Sequence, residues 1–464
     1  MADELWPTSV FSRRRAVGLA GIGLATAAGP ALLAGCGGTD VRSGGAAGSA
    51  TSGSINWWSW TPDTGVAEKY IATFNKTYPD IEVTYKNFEN SDYKAALRAG
   101  LTSNSGPDIF SVALGGLNSD FGTFGEFGLD LRPALEEELG TNWRKSFTFS
   151  HDGLTREDGS VAAVGMGGVA AGCIWVNQSM FDDYGVEVPT TYDEWVDVAA
   201  IFRAHGKDCM AMGAVSDGFV VETWRTIVGS IEPGAWISAL KGERPWSDPV
   251  FAEGLEIFSR MKDDGIIRDD VVGLTQYPDA NNAFMSQKAA MVQMGTWYAQ
   301  YSGRESAVSS MQAAGVRDPE PFLQMPTRFP IMVDGGSVSP IFGELDYGLS
   351  INARSQSTAA ATTFALWLTT STTGAQTIAN AIDLIPARVG TEPAWNDIGL
   401  VDADQQVPAI QELYEVATES SESRDQYAKP AVSEALRSAV ISVLEGGTSP
   451  TEAITQLVKT VELV

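Results

Sequence analysis

The chain has few of the residues that build metal and nucleophilic centres. It contains two histidines, His151 and His205, and three cysteines among 464 residues. Their spacing fits no zinc site, because structural zinc sites draw four Cys or His ligands from closely spaced pairs. The chain also has no Gly-x-Ser-x-Gly motif, the nucleophile elbow of the α/β-hydrolases. The sequence therefore predicts no metal site, no cofactor and no catalytic residue.

Basic residues are scarce relative to acidic ones. Lys and Arg number 31 against 58 Asp and Glu, which gives a formal net charge of −27. A protein that binds nucleic acid or an anionic membrane surface needs a basic face. The charge balance therefore argues against both of these partners and favours a globule that stays soluble outside the cell.

A long uncharged run occurs near the N-terminus, from Ala16 to Gly35, directly after Arg13, Arg14 and Arg15. It is rich in Gly and Ala and poor in large apolar side chains, so it makes a weak spanning helix and a good export signal. Two consecutive arginines after a serine are similar to a twin-arginine signal. Export by this route or by the general route stays open.

The residues that end this run, Leu33-Ala34-Gly35-Cys36, resemble the lipobox of bacterial lipoproteins. The resemblance implies that residues 1–35 are removed and that Cys36 is lipidated, which would anchor the protein to the outer face of the cell membrane. Residues 36–54 are nearly all Gly, Ala, Ser and Thr and are predicted to form a flexible tether. The alternative is an ordinary signal peptide that happens to contain a cysteine.

Hydrophobic periodicity predicts α/β structure after the tether. The aromatic strand Ile55–Trp60 precedes a helix that places Val66, Tyr70 and Phe74 on one face. Strands, helices and turns then alternate at the pace of an α/β domain with a largely parallel sheet. A second α/β unit starts near residue 169, and Thr191 to Glu194 matches a helix capping box.

Cys173 and Cys209 both lie in short apolar runs that are predicted to be strands. In an exported protein they could form one disulfide if these strands were neighbours. Two buried free thiols are the alternative.

Several aromatic and acidic residues follow predicted strands closely. Trp60 and Asp63 lie just beyond the first strand, and Trp297 follows the buried strand 289–294. Ligands of open α/β sheets bind at the carboxyl ends of strands. A sugar needs flat aromatic rings for its C–H faces and carboxylates, amides or guanidinium groups for its hydroxyls. These residues are therefore candidate ligand-binding residues of types that suit a sugar, and Arg388, after Pro386, is a candidate donor to ligand hydroxyls.

Motifs along almost the whole chain resemble the extracellular solute-binding proteins of sugar ABC transporters, the group that includes maltose-binding protein. The motifs occur in family order in these segments: Ile55–Asp63, Phe74–Val83, Gly106–Phe110, Trp175–Trp195, Ala283–Trp297, Tyr347–Ile351 and Ile385–Arg388.

The resemblance implies a periplasmic-binding-protein-like fold of two α/β lobes with a hinge and a ligand cleft between them. Lobe 1 is expected to comprise 55–168 and 334–384, and lobe 2 to comprise 169–333 and 385–464.

Further site residues follow from the resemblance. Glu222 and Trp224 lie in a segment that faces the cleft in relatives. Gly335 and Gly336 would let backbone N–H groups approach a ligand closely, or would permit a hinge. The chain departs from the family pattern at 165–172, where glycines replace an acidic sugar ligand of some relatives, and this departure is expected to leave room for a bulkier ligand.

The function implied by the resemblance is capture of a sugar, with a di- or oligosaccharide favoured, and its delivery to the permease subunits of an ABC transporter. The protein is expected to be a monomer and not an enzyme. One alternative is a secreted glycosidase-like enzyme, which would need two carboxylates across a cleft. The other is a lipoprotein that binds a peptide or a modified sugar.

Overall fold

The computed structural model describes residues 48–463 except 104, 115–120, 216–217, 420–421 and 425–428. The predicted signal peptide, Cys36 and most of the predicted tether lie outside the described residues. Among the residues that are described, no helix has both the length and the apolar character needed to cross a membrane.

Ten strands form two sheets in the described part of the chain. They are β1 Gly53–Ser59, β2 Ile81–Asn87, β3 Ile109–Ala113, β4 Val164–Ala171, β5 Cys173–Asn177, β6 Asp208–Ala211, β7 Ala289–Met294, β8 Gln324–Arg328, β9 Phe342–Ile351 and β10 Ile385–Pro386. The six-stranded sheet has the order β10-β4-β9-β3-β1-β2, and the four-stranded sheet has the order β6-β7-β5-β8.

Helices cover the faces of both sheets. They are α1 Thr64–Asn75, α2 Asn90–Thr102, α3 Phe121–Phe124, α4 Arg132–Leu139, α5 Gln178–Tyr184, α6 Tyr192–Ala204, α7 Phe219–Ile231, α8 Ala235–Leu240, α9 Pro249–Asp263, α10 Asn281–Met285, α11 Arg304–Ala313, α12 Thr358–Thr370, α13 Thr372–Ala381, α14 Ala403–Glu419, α15 Pro430–Leu444 and α16 Pro450–Val461. The capping box predicted at Thr191 and Glu194 is confirmed at the start of α6.

The two sheets organise separate hydrophobic cores. Around the six-stranded sheet, α1 and α12 contribute Tyr70, Phe74 and Phe364, which pack with Trp57 of β1. Around the four-stranded sheet, α6, α7, α9, α15 and α16 contribute side chains such as Trp195 to another core. The predicted fold class of two α/β lobes is therefore confirmed, and the lobe boundaries near residues 168, 334 and 385 stay a prediction.

Ordered structure begins earlier than the sequence predicts. Strand β1 starts at Gly53, inside the predicted tether, because β2 extends far enough for Ile81 to pair with Gly53. Ser49 and Ser52 form a further bridge ahead of this strand. Thr363 of α12 donates a hydrogen bond of 2.9 Å to the carbonyl oxygen of Ala50. The tether prediction is therefore wrong for the residues from Ser49 to Ser54.

Cys173 and Cys209 do not form the disulfide that the sequence left open. Both are buried free thiols. Cys173 lies on β5 and Cys209 on β6, and β7 lies between these strands. Two strand spacings amount to about 10 Å, which exceeds the Cα separation that a disulfide can bridge. The condition for the disulfide, that the two strands are neighbours, is therefore not met, and the alternative of two buried free thiols holds.

We predict that neither of these thiols reacts in the native protein. Burial raises the pKa of both Cys173 and Cys209 to about 12, and the thiolate is the reactive form. Titration with a thiol reagent should show two more reactive groups in denaturant than in native buffer. Rapid modification of either residue without denaturant would contradict this expectation.

Candidate functional site

The candidate site lies where the parallel strands of the six-stranded sheet end. Strands β1, β2 and β3 run parallel, so their carboxyl ends share one edge. Trp60 and Asp63 follow β1 at this edge, and Glu89 follows β2. Strand β9 runs antiparallel to β3 and places Tyr347 opposite Ala113, the last residue of β3. This edge therefore gathers aromatic and acidic side chains from three segments of the chain.

Asp346 is placed by a bulge in β9. Gly167 pairs with Tyr347 and Gly168 pairs with Leu345, so Asp346 has no partner on β4. A bulge of this kind re-aims a side chain and leaves one residue outside the ladder. Burial raises the pKa of Asp346 to about 6, and the positive charge of Arg424 partly offsets this effect.

Trp297 lies at the junction of the two lobes. It follows β7 in a short 3₁₀ helix and packs against core residues of both lobes. Its indole Nε1 donates a hydrogen bond of 3.2 Å to the hydroxyl of Tyr277. The guanidinium of Arg424 lies 5.1 Å from the centre of the indole ring. The ring is only half-buried, as a sugar-stacking platform requires.

Arg424 joins this tryptophan to Glu222. The Nε of Arg424 donates a hydrogen bond of 2.6 Å to Oε1 of Glu222, on the first turn of α7. Glu222 is 6% exposed, and its other oxygen, Oε2, has no hydrogen-bond partner among the described residues. A buried carboxylate with one free oxygen can still accept a hydrogen bond from a ligand.

Asp63 links the segment after β1 to the segment after β7. The hydroxyl of Tyr301, which follows β7, donates a hydrogen bond of 3.2 Å to Oδ2 of Asp63. Asp63 is accessible to solvent, yet its pKa is raised above the ordinary value, chiefly because its surroundings desolvate it. The hydrogen bond from Tyr301 lowers this pKa, and the negative charge of Glu89 raises it. An accessible but desolvated carboxylate is typical of a concave site.

Asp383 is the buried member of a group of acidic side chains that also includes Asp63 and Asp346. It is 3% exposed, and the hydroxyl of Tyr70 donates a hydrogen bond of 3.4 Å to its Oδ1. Burial raises the pKa of Asp383 to about 7, and the nearby charges of Asp63 and Asp346 raise it as well. Within the described part of the chain, no cluster of three or more His, Cys, Asp or Glu has the arrangement of a metal site.

We expect Asp383 to make stability depend on pH. Because its pKa is raised from an ordinary value of about 4 to about 7, the native state holds more protons than the unfolded state between these values. The free energy of unfolding contributed by Asp383 therefore falls as pH rises through this window. In urea unfolding at pH 5 and pH 8, Asp383→Asn should gain stability relative to the original protein as pH rises.

The control for this prediction is Asp404→Asn, which removes the same charge from the exposed first turn of α14. Equal pH profiles for the original protein and the Asp383→Asn variant would contradict the expected titration of Asp383.

The structure brings together Trp60, Asp63, Trp297 and Glu222 from the predicted site. The ring of Trp60 lies 5.7 Å from that of Tyr347. Next to Tyr347 in the chain, Asp346 interacts electrostatically with Arg424, which contacts both Trp297 and Glu222. Their roles as ligand-binding residues stay predictions.

Trp224 is not a cleft residue, and its prediction is wrong. It is 0% exposed in the core of the second lobe, where its Nε1 donates a hydrogen bond of 3.0 Å to the carbonyl oxygen of Phe251. Its ring lies 5.0 Å from that of Trp236. Helix α7 places Glu222 and Trp224 on different sides, because two residues correspond to a rotation of about 200°.

Gly335 and Gly336 lie in a turn against the last part of α7. Gly335 has φ of +74°, which favours glycine. The N–H of Gly336 donates to the carbonyl of Val333, and that of Ser337 donates to Ser230. Ser230 lies about 12 Å along the helix from Glu222 at 1.5 Å per residue. The structure therefore gives this glycine pair a turn role and does not bring it to the other candidate residues.

Arg388 lies beyond β10, where its backbone forms an isolated antiparallel β-bridge with the backbone of Phe147. The contacts of the described residues do not connect it with Trp60, Asp63 or Trp297. Its Nη1 is buried and has no hydrogen-bond partner among the described residues. Arg388 therefore stays a predicted donor without an identified acceptor.

The glycine-rich strand β4 does not leave the open space that the sequence suggested. A Cβ atom at Gly168 would overlap the ring of Phe149, and one at Gly167 would lie 2.7 Å from Cβ of Leu384. One at Gly165 would lie 2.6 Å from Leu345. Side chains of the protein already fill the space next to these glycines, so the expectation of extra ligand space next to β4 is wrong.

A groove of about 750 Å³ runs between α9 and α16. Residues such as Pro249, Ala252, Ile454 and Val458 line it, and none of its lining residues is aromatic. A sugar site needs a flat ring for stacking, so we do not assign the ligand site to this groove.

Sequence reasoning missed Asp346, Asp383, Tyr347 and Arg424. Asp383 carried a usable signal, since it is the one charged residue between Thr372 and Ala387, and a buried charge needs partners or a function. Arg424 carried no such signal, because it lies in a polar segment about 200 residues from its partner Glu222 along the chain.

The comparison with solved structures identifies the same fold in sugar-binding proteins. A chitin oligosaccharide binding protein is 21% identical over 89% of this chain and 98% of its own, with a TM-score of 0.66. The maltose-bound MalE3 of T. maritima is 17% identical over 89% and 100%, with a TM-score of 0.66. The GacH receptor of Streptomyces glaucescens, solved with acarbose, is 18% identical over 89% and 98%, with a TM-score of 0.64.

No curated protein sequence matches this chain significantly. The family described as bacterial extracellular solute-binding protein matches residues 57–375, a range that runs from β1 to α13 and contains Trp60, Asp63, Glu222 and Trp297. This chain belongs to the bacterial extracellular solute-binding proteins.

Proposed function

We propose that the protein captures a carbohydrate outside the cytoplasm and delivers it to the permease of an ABC transporter. The observation that carries the proposal is a pair of partly exposed tryptophans that follow strands of different sheets, Trp60 after β1 and Trp297 after β7. Each lies near an acidic side chain, since Trp60 packs against Tyr347 beside Asp346, and Trp297 contacts Arg424, the partner of Glu222. This arrangement combines flat apolar faces with hydroxyl acceptors. The sugars bound by proteins of the same fold support it.

Lobe closure would complete the site. The Tyr301–Asp63 hydrogen bond joins the lobes near Trp297. Lys69 of α1 and Glu305 of α11 form a second contact between the lobes, with their charged atoms 2.7 Å apart. Both partners of this ion pair are exposed, so it contributes little by itself. A ligand that contacts both lobes would supply the rest of the closing free energy.

We propose a location on the outer face of the cell membrane, with removal of residues 1–35 and a lipid on Cys36. The mass of the mature N-terminal peptide, isolated from membranes, tests this part. A lipid-modified peptide that begins at Cys36 is expected. A mature chain that begins elsewhere, or an unmodified Cys36, would contradict the anchor without affecting the proposed binding activity.

A thermal-shift screen against mono-, di- and oligosaccharides tests the binding activity, with intrinsic tryptophan fluorescence as a second readout. A ligand that binds only the native state raises Tm in proportion to the logarithm of its concentration over Kd. We expect a di- or oligosaccharide to give the largest shift and the protein to act as a monomer. A response to peptides and to no sugar would contradict the proposal.

We propose that the protein does not transform its ligand. Prolonged incubation of the purified protein with each sugar that binds should leave the sugar intact by chromatography. Stoichiometric binding with no product supports the transport role, and turnover of any oligosaccharide would overturn it in favour of a glycosidase-like enzyme.

A further inference from the structure

We infer that the ligand is an amino sugar whose protonated amine binds at the acidic group of the cleft. This acidic group consists of Asp63, Glu89, Asp346 and Asp383. The inference rests on the proposed carbohydrate-binding function and specifies the class of sugar.

Electrostatic interactions connect these carboxyl groups in pairs, and the hydroxyl of Tyr70 lies 3.4 Å from Oδ1 of Asp383, the buried member. Glu89 raises the pKa of Asp63, and both Asp63 and Asp346 raise the pKa of Asp383. They come from four separate places in the fold: the segments after β1 and β2, the bulge of β9 and the residues before β10. Mutual repulsion of this kind destabilises an empty site, and a bound cation relieves it.

Two buried polar atoms at this place lack a hydrogen-bond partner in the part of the chain that the structure describes. Tyr347 is 0% exposed and Asp383 is 3% exposed. Neither the hydroxyl of Tyr347 nor Oδ2 of Asp383 has a hydrogen-bond partner among the described residues. Tyr347 directly follows Asp346 on β9, and its ring lies 5.7 Å from that of Trp60, so it belongs to the same end of the sheet. The charges of Asp383 and Asp346 both raise the pKa of its hydroxyl. Buried polar atoms are normally hydrogen-bonded, so their free state indicates a ligand or water.

The positive charge that the described residues place beside Asp346 is that of Arg424. Arg424 lowers the pKa of Asp346, but its guanidinium is already ion-paired with Glu222. An ammonium group has three N–H donors and no acceptor, which matches a group of carboxylate and phenol oxygens. A neutral hydroxyl offers one donor and no charge. The ring of Trp60, next to Tyr347, would further favour a cation through its negative face.

The test compares sugars that differ at one position. Cellotriose, chitotriose and the glucosamine trimer share a β-1,4 backbone and carry hydroxyl, acetamido and ammonium groups at C2. The corresponding monosaccharides form a second series. Calorimetry of the purified protein at pH 7 should show the ammonium member of at least one series binding about tenfold more tightly than its neutral counterparts, as expected for charge-assisted hydrogen bonds.

Substitutions in the acidic group test where the amine of the sugar binds. Asp346→Asn and Asp383→Asn should remove most of this preference, and Tyr347→Phe should reduce it, whereas the exposed Asp404→Asn should leave it unchanged. Circular dichroism confirms that each variant is folded, and the two asparagine variants give independent readings if one of them unfolds.

The outcomes separate the two proposals. Neutral or acetylated sugars that bind as tightly as the amines would overturn the inference and leave carbohydrate binding intact. An amine preference that survives both asparagine variants would also overturn it, because the acidic group would not be the site. Absence of binding by any sugar, including those of the wider screen, would overturn the proposed function and this inference with it.

Discussion

Trp297→Ala should weaken binding of the best sugar by about 10- to 100-fold, the range expected when a central aromatic contact is removed. The indole is half-buried, packs against both lobes and lies beneath the guanidinium of Arg424. Its loss would remove a stacking face and also loosen the residue that holds Glu222. Calorimetry or fluorescence titration measures the change in Kd.

Two matched variants sharpen this expectation. Trp297→Phe keeps a ring but loses the hydrogen bond to Tyr277, so its affinity should lie between those of the original protein and the alanine variant. Trp60→Ala should also weaken binding, because it removes the partly exposed ring that follows β1 and packs against Tyr347. Affinities within twofold of the original for both alanine variants would refute the placement of the site.

Trp224→Ala should have the opposite profile, a large loss of stability with little change in affinity. The side chain is fully buried among Trp236, Trp246 and Phe251. Truncation of a buried tryptophan costs about 3–5 kcal/mol through lost burial and the cavity left behind. Its indole N–H also satisfies the carbonyl of Phe251, which would then be left without this donor.

Urea unfolding of Trp224→Ala and Trp297→Ala in parallel measures this contrast. Trp297→Ala should lose much less stability, because part of its ring is already exposed to solvent. The fraction of Trp224→Ala that is folded should bind sugar with nearly the original Kd. Unchanged stability of Trp224→Ala, or a selective loss of sugar affinity, would restore Trp224 as a cleft residue.

The candidate site residues that follow strands were predictable, because the carboxyl ends of parallel strands lie at the same edge of a sheet. The aromatic strand Ile55–Trp60 and the buried run 289–294 are local patterns with a local meaning. Once the fold class is known, the rule that ligands bind at the carboxyl ends of strands selects Trp60, Asp63 and Trp297. The same rule needed no knowledge of which helices cover the sheets.

Side-chain direction on α7 was not predictable in the same way. Glu222 and Trp224 belong to one short segment, and a resemblance to relatives marks the whole segment as facing the cleft. The structure turns Glu222 toward Arg424 and Trp224 into a cluster of aromatic rings. Only the packing partners of α7 determine which side of the helix is the core, and these partners include the distant helices α9 and α15.

The pairing of strands is another property that the local sequence did not contain. Cys173 and Cys209 were correctly placed on strands, but the intervening position of β7 separates them. The glycines of β4 suggested open space until the rings and side chains of Phe149, Leu384 and Leu345 were seen to fill it. Both outcomes depend on neighbours that are remote in the chain.

The sequence by itself determined the family, the two-lobed α/β fold and the aromatic residues at the strand ends, because these depend on local periodicity and on motifs in order. Only the tertiary structure decided that Asp63, Asp346, Asp383 and Arg424 act on one another electrostatically, and that Trp224 belongs to a core. The physical reason is that charge interactions and burial depend on distances in space, and strand order and the bulge of β9 set those distances across hundreds of residues.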